Sequence, residues 1–162
     1  ASTLSLGAPL PGEPGSMENP LATSDTLYIP VLSDTPLIQM DIVLNIVDGP
    51  ASVVDYMDED DAAAYGWDPA FTLAPILNLP DSVEIFGGNF SGNFNSVAGF
   101  IEIHCDGPGN VTVWMTPGGF QPCLDIDLFP PEIFDEITVY QVPEPGTVLL
   151  IGLGGLLLKK RP

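Results

Sequence analysis

The sequence predicts an all-β protein, an antiparallel β-sandwich, and three observations predict it. Apolar residues recur at every second position in several short segments, most clearly in Leu37–Val47. There Ile38, Met40, Ile42, Leu44 and Ile46 share one face, and Gln39, Asp41 and Asn45 the other; a period of two marks a half-buried strand. The 18 Pro and 17 Gly residues punctuate the chain with turns and leave little room for long helices. Val, Ile, Thr, Phe and Tyr, which suit a pleated surface, are plentiful. At 162 residues the chain suffices for one domain with a proper core.

Residues 1–24 are rich in Pro, Gly and Ser, and Pro9, Pro11, Pro14 and Pro20 exclude a helix. They read as a leader or an extended arm, with Leu4 and Leu6 able to pair on a sheet edge. The sandwich domain is expected over 25–142. Its first strand, Thr26–Leu32, is placed at an edge because Pro30 has no N–H for a ladder. Leu37–Val47 is next and ends at the Asp48-Gly49-Pro50 turn, with Ala51–Tyr56 as its return strand. Asp58-Glu59-Asp60-Asp61 before three alanines favours one or two helical turns, stopped by Tyr65-Gly66-Trp67-Asp68-Pro69. Strands are expected at Phe71–Leu79 and Ser82–Phe86, then a wide Gly/Asn turn over 87–96. Val97–Cys105 alternates again and is expected to form a hairpin with Val111–Thr116 across Gly107-Pro108-Gly109-Asn110. Leu124–Phe129 and Glu136–Val142, split by Pro130-Pro131, complete about eight or nine strands.

The charge excludes one class of partner. There are 22 Asp and Glu residues and only three Lys and Arg, a net charge of −19, and all three cations are Lys159, Lys160 and Arg161. A body without Lys or Arg has nothing to neutralise phosphates, so nucleic acid is not an expected partner. The acidity instead suits a solvated surface on a secreted protein. The residues at the start are small and polar, as expected just after a removed signal peptide.

An exported chain with two cysteines is expected to form one disulfide, Cys105–Cys123, worth roughly 3 kcal/mol. No catalytic constellation emerges. His104 neighbours Cys105, but adjacent strand residues point to opposite faces, so the two cannot act as base and nucleophile. Asp55, Asp58, Glu59, Asp60 and Asp61 carry two open readings: acidic residues at a helix N-terminus, which is preferred, or ligands for Ca²⁺, which takes six to eight oxygens. Trp67, Trp114, Tyr65 and Phe90 are either core packing or a sugar-stacking platform.

The last residues have three parts in order: Pro143-Glu144-Pro145, an apolar run containing Leu149, Leu150, Ile151, Leu153, Leu156 and Leu157, and the basic end Lys159-Lys160-Arg161. This tail, 143–162, resembles the PEP-CTERM sorting signal of bacterial exported proteins. The resemblance implies export to the cell surface or extracellular space, retention by the apolar segment, and recognition by an exosortase. The body resembles the cohesin-like β-sandwich domains found in such proteins. Val148–Leu158 would span about 16 Å as a helix, against about 30 Å for a bilayer core. An arm and an apolar tail each need a partner surface, and reciprocal docking between copies supplies both. Head-to-tail contacts that do not close give a filament. The expectation is therefore a non-enzymatic extracellular structural protein that assembles with copies of itself through 1–24 and 146–158. The alternative is a Ca²⁺-dependent adhesion or carbohydrate-binding surface module.

Overall fold

A computed structural model describes residues 2–68, 73–78, 80–89 and 96–143. The chain forms strands β1 (Leu4–Leu6), β2 (Leu21–Ala22), β3 (Thr26–Ser33), β4 (Leu37–Asp48), β5 (Ala51–Tyr56), β6 (Leu73–Asn78), β7 (Ser82–Gly88), β8 (Val97–Cys105), β9 (Val111–Pro117), β10 (Leu124–Asp125), β11 (Asp135–Val139) and β12 (Gln141–Val142). One sheet has the order β1-β3-β8-β5; the other runs β11-β9-β4-β7-β6, with β10 also paired to β4. A third, two-stranded piece joins β12 to β2 in parallel. The all-β sandwich expectation holds.

The alternation of Leu37–Val47 places Met40, Ile42 and Leu44 in the core, fully shielded from water. They face Ile29, Val31, Ile101 and Ile103 of the opposite sheet, and Val83, Ile85, Val113 and Met115 extend the same layer. β4 is central because both its long edges are paired, to β7 and to β9. Trp67 is buried and donates its indole N–H to the Ala98 carbonyl at 2.7 Å. It is core packing, so the sugar-platform aromatics do not assemble: Tyr65 packs on Phe100, Trp114 on Phe134, and Phe90 lies outside the described residues.

Several local expectations are corrected. The turn at Asp48-Gly49-Pro50 does not return the chain to its own sheet, because β5 pairs with β8 in the other one. Nor do Val97–Cys105 and Val111–Thr116 form a hairpin: β8 and β9 lie in opposite sheets. Gly49 makes the first crossing. Its φ is +96° and a Cβ there would meet the Asn110 carbonyl oxygen at 2.1 Å, so the two crossings pack backbone to backbone. The acidic run leads into a single 3₁₀ turn, Ala62–Tyr65, closed by Gly66 in the left-handed conformation. β3 is not a bare edge, since β1 pairs with Ser33, Leu32 and Val31. Pro30 nevertheless sits where no ladder N–H is needed. Its carbonyl, which accepts the Gly7 N–H at 2.7 Å, faces the side where β1 has ended, and its missing N–H faces the same side.

The arm therefore belongs to the sandwich. Leu4 and Leu6 are 3% and 5% exposed, and the Leu4 N–H donates to the Glu132 carbonyl of the opposite sheet's edge. β1 thus closes the gap between the sheets along one side.

Cys105 and Cys123 are free and buried, which overturns the expected disulfide. Cys105 lies opposite Ala51 in the first sheet, near the end where β4 finishes. The Cys123 thiol sits against Asp41 in the other sheet, accepting its N–H at 3.0 Å. The two are separated by about 20 Å along the strands, far beyond disulfide reach. Burial, with Asp25 and Asp106 nearby, pushes the Cys105 thiol up to about 11. Burial also pushes Cys123 up to about 11, the Asp41 N–H opposing and the Asp41 charge adding to it. Neither therefore supplies a thiolate at neutral pH. A bridge worth roughly 3 kcal/mol would drop the melting temperature on reduction by about 6–12 °C. The expected result is no shift with reductant, and thiol labelling of both cysteines only after denaturation; a drop of that size would restore the bridge.

Candidate functional site

The sandwich has two distinct ends. β4 begins at one with Leu37 and finishes at the other with Asp48, about 40 Å away. β12 lies beyond the Asp48 end, next to β2, and Pro143 leaves from there. The Leu37 end carries the long connection from Gly118 to Phe134, and here the surface is unusual. Phe120, Ile126, Leu128, Phe129 and Phe134 are between 54% and 66% exposed. Several large apolar side chains left exposed along one connection make it the candidate interaction surface.

The sequence pattern of Leu124–Phe129 suggests a strand, but only Leu124–Asp125 form one. Asp125 ends it. Its buried carboxylate accepts the Asp127 N–H at 3.0 Å and the Phe129 N–H at 2.9 Å through Oδ1. Oδ2 accepts the Ser2 hydroxyl at 2.6 Å. Its main chain closes the same turn, its N–H donating to the Phe129 carbonyl and its carbonyl accepting the Leu128 N–H. A side chain that takes the backbone N–H groups competes directly with a sheet ladder. The result is a tight loop with Leu128 at φ +65°, a conformation costing a branched residue about 1–3 kcal/mol. Ile126, Leu128 and Phe129 are turned outward by a loop that is held, not loose. Beside it a cleft of about 560 Å³ is lined by Ser2, Thr35, Asp125, Asp127, Phe129 and Pro130. Trp114 and Phe134 extend the apolar surface along β9 and β11, their rings 6.1 Å apart. Exposed Asp34, Asp127, Glu132 and Glu136 form an acidic surround.

Carboxylates also fasten the arm to this end. Asp34 accepts the Thr3 N–H at 2.9 Å and its hydroxyl at 2.8 Å, and Asp135 accepts the Leu6 N–H at 2.6 Å. The Thr3 N–H, then its hydroxyl, lower the Asp34 pKa. The Ser2 hydroxyl, then the Phe129 N–H, lower that of Asp125.

The acidic run predicted as a helix start or Ca²⁺ site lies elsewhere. Asp58 accepts the Asp60 and Asp61 N–H groups at 2.9 and 3.2 Å, bracing the approach to the 3₁₀ turn, and Asp55 accepts the Tyr56 N–H. Among the described residues no three of Asp55, Asp58, Glu59, Asp60 and Asp61 converge as metal ligands. His104 pairs with Asp106 at 2.7 Å on the surface. Of the predicted sorting and assembly residues, Pro143 is described; Glu144, Pro145, Leu149, Leu150, Ile151, Leu153, Leu156, Leu157, Lys159, Lys160 and Arg161 lie outside the described residues. The tip itself was missed from sequence. Its one legible signal was Ile126, Leu128 and Phe129 beside Pro130-Pro131, where a paired strand is not expected to continue.

A family model described as the PEP-CTERM protein-sorting motif matches residues 141–161. The chain carries a PEP-CTERM sorting motif. It marks an exported protein of the cell surface or extracellular space. Among the described residues no helix is long and apolar enough to cross a membrane. The fold is similar to that of solved cohesins. A non-cellulosomal cohesin from Archaeoglobus fulgidus matches with a TM-score of 0.56 at 9% identity, over 91% of this chain and 96% of that one. The sixth cohesin of scaffoldin B from Acetivibrio cellulolyticus, solved in complex with a dockerin, matches at 0.58 and 10% identity, over 85% and 97%. The seventh ScaB type I cohesin of Pseudobacteroides cellulosolvens matches at 0.58 and 8% identity, over 88% and 92%. The chain that carries this motif thus has a cohesin-like sandwich fold. No curated protein matches it by sequence.

The carboxylate latches have a defined pH signature. A folded-state pKa below the unfolded value means that the unfolded chain binds more protons, so stability is complete above about pH 4 and is lost as pH falls through the depressed values. Asp34→Asn and Asp125→Asn are expected to lower the melting temperature by several degrees at pH 7. As the pH falls below about 4 and through the depressed values, the difference should shrink steadily. An equal penalty across that range would show that the charge of these latches is irrelevant.

Proposed function

We propose that this is a non-catalytic, surface-displayed protein-binding module whose apolar tip receives a partner protein. The observation that carries the reading is the Asp125-centred loop, which holds Leu128 in a strained conformation and exposes Ile126, Leu128 and Phe129. Strain and exposure of this kind oppose folding, and together they support selection for a surface role. The comparisons support the same class, since a cohesin of similar fold was solved bound to a protein partner. The sorting motif continues from the opposite end of the sandwich, so a chain held by that motif would present the tip outward.

The acidic surround of the tip describes the partner: an apolar anchor flanked by Lys or Arg. Such complementarity chiefly raises the rate of encounter and fades with salt. Assembly of copies through both termini is less well supported, because the arm is already seated on its own β3 and on Asp34, Asp125 and Asp135.

The test is site-specific cross-linking on intact cells, with a photoreactive residue at Phe129 or Phe134 and a control at Val54, which is 54% exposed. Discrete adducts are expected from the tip positions alone. Leu128→Ser with Phe129→Ser should abolish adducts formed from position 134 while shifting stability by little, as surface changes do. Identical adducts from Val54, or unchanged adducts in the double variant, would sink the reading.

A further inference from the structure

The arm leaves part of one edge of the first sheet uncovered. β1 covers β3 only over Val31–Ser33, and the Gly7 N–H adds one bond to the Pro30 carbonyl. A Cβ on Gly7 would stand 2.5 Å from the Pro30 ring, so a side chain there would push the arm off. The Ala8 N–H then turns back to the Leu6 carbonyl, and Pro9, Pro11 and Pro14 have no N–H to offer a ladder. The arm swings away from β3 and comes back beside Leu27 at Gly15. Main-chain groups of successive strand residues face opposite edges, so the Tyr28 N–H and carbonyl face the same side as the Pro30 carbonyl. Among the described residues they have no partner there. An unpaired edge of this kind is a template for a further segment of chain.

A groove of about 630 Å³ lies along this edge, lined chiefly by Pro9, Leu10, Leu27, Tyr28, Pro30 and Leu32. Leu10, Tyr28 and Leu32 are 63%, 44% and 36% exposed. Among the described lining residues Glu13 alone is charged, and its carboxylate already accepts the Leu10 N–H at 2.9 Å. The groove suits an uncharged, apolar segment, unlike the acidic surround of the tip. The chain has such a segment in Val148–Leu158, which lies outside the described residues and carries no charge. It begins close by. Val142 lies opposite Ala22, and a tight turn joins Ala22 to Asp25: the Ala22 N–H donates to the Asp25 carboxylate, and the Ala22 carbonyl accepts the Asp25 N–H. One strand spacing, that turn and the start of β3 put Leu27 within about 20 Å of Val142. The chain from Val142 to Val148 can extend about 20 Å, so the apolar run can enter the groove.

We propose that the apolar run Val148–Leu158 docks in this groove of its own body, against Leu10, Tyr28 and Leu32, whenever no lipid phase holds it. Docking removes apolar surface of both the run and the groove from water, and the run's main chain can meet the free Tyr28 groups. A bilayer offers the same run a competing apolar phase. The groove is therefore a reversible latch that shelters the sorting segment of an exported chain until a membrane takes it. The latch stands whether or not the tip binds a protein.

The test uses the full chain, purified without detergent, with a photoreactive residue in place of Leu150. Irradiation in dilute solution followed by peptide mapping should give adducts on Leu10, Tyr28 or Leu32. An equal mixture of isotope-labelled and unlabelled chains should give only adducts within one chain. Leu10→Asp places a charge in the groove at an exposed position and should lower the adduct yield at least about fivefold. Val54→Asp, equally charged but on β5 outside the groove, should leave the yield unchanged. Detergent micelles should remove the adducts. Adducts between labelled and unlabelled chains would assign the groove to a second copy and overturn the proposal. Adducts scattered over the body, an unchanged yield in Leu10→Asp, an equal loss in Val54→Asp, or adducts that persist in micelles would overturn it as well.

Discussion

Main-chain amides held by carboxylates are the interaction on which the rest of this structure depends. The two sheets and the arm's Leu4, Leu6 and Leu21 account for the core, but apolar burial alone does not fix the irregular backbone of the arm, the tip and the loop over β4. Each is fastened by an Asp or Glu that accepts backbone N–H groups: Asp34 and Asp135 for the arm, Asp125 for the tip, Asp41 and Glu84 for the Gly118–Gln121 loop. A charged acceptor makes such bonds roughly twice as strong as neutral ones. In a body without Lys or Arg, no ion pair to those residues competes for the carboxylates. The extreme composition is thus more than a solubility device. It leaves the acidic side chains available to organise irregular backbone, which a sandwich with long connections has in quantity.

How much of this was legible in the sequence depends on which force set each element. Where side-chain burial decides, the pattern could be read. Leu37–Asp48, Val97–Cys105 and Thr26–Ser33 follow their apolar alternation closely. Where the direction of the chain after a turn decides, it could not. Asp48-Gly49-Pro50 and Gly107-Pro108-Gly109-Asn110 announce turns, yet nothing local says whether the next strand rejoins its own sheet or crosses to the other. That choice is made by packing between distant residues, such as Gly49 against Asn110 and Val111. The two cysteines misled for a related reason: their number suggests a bridge, but only the topology shows them at different ends of different sheets.

The candidate tip and the Gly118–Gln121 loop were hidden by a third effect. Leu124–Phe129 alternates as a strand does, and Asp41 sits on what looks like the solvent face of the best strand in the chain. In both cases one aspartate reverses the expectation by capturing amides. Asp125 takes N–H groups that a ladder would have used. Asp41 draws a loop over itself and becomes buried. Periodicity registers which face is apolar; it does not register a side chain that substitutes for the backbone's own partners. The sorting tail was the opposite case. Its order of Pro-Glu-Pro, apolar run and basic end is a linear signal that needs no fold to be recognised.

The distribution of charge also bears on how the module would stand on a cell. Anionic membrane surfaces repel a body of this sign, and the repulsion acts within about a Debye length, roughly 8 Å at physiological salt. The sandwich is about 40 Å long, several times that range. A chain tethered through Pro143 would therefore be disfavoured from lying flat, with acidic side chains along its length at the surface, and less so from standing on its tethered end. The three cations lie beyond that end, in the tail. On the proposed reading, upright orientation and an outward tip would share one cause, an acidic body joined to a basic terminus. The order of residues along the chain supports the tip as the contact surface independently of the strain in its loop.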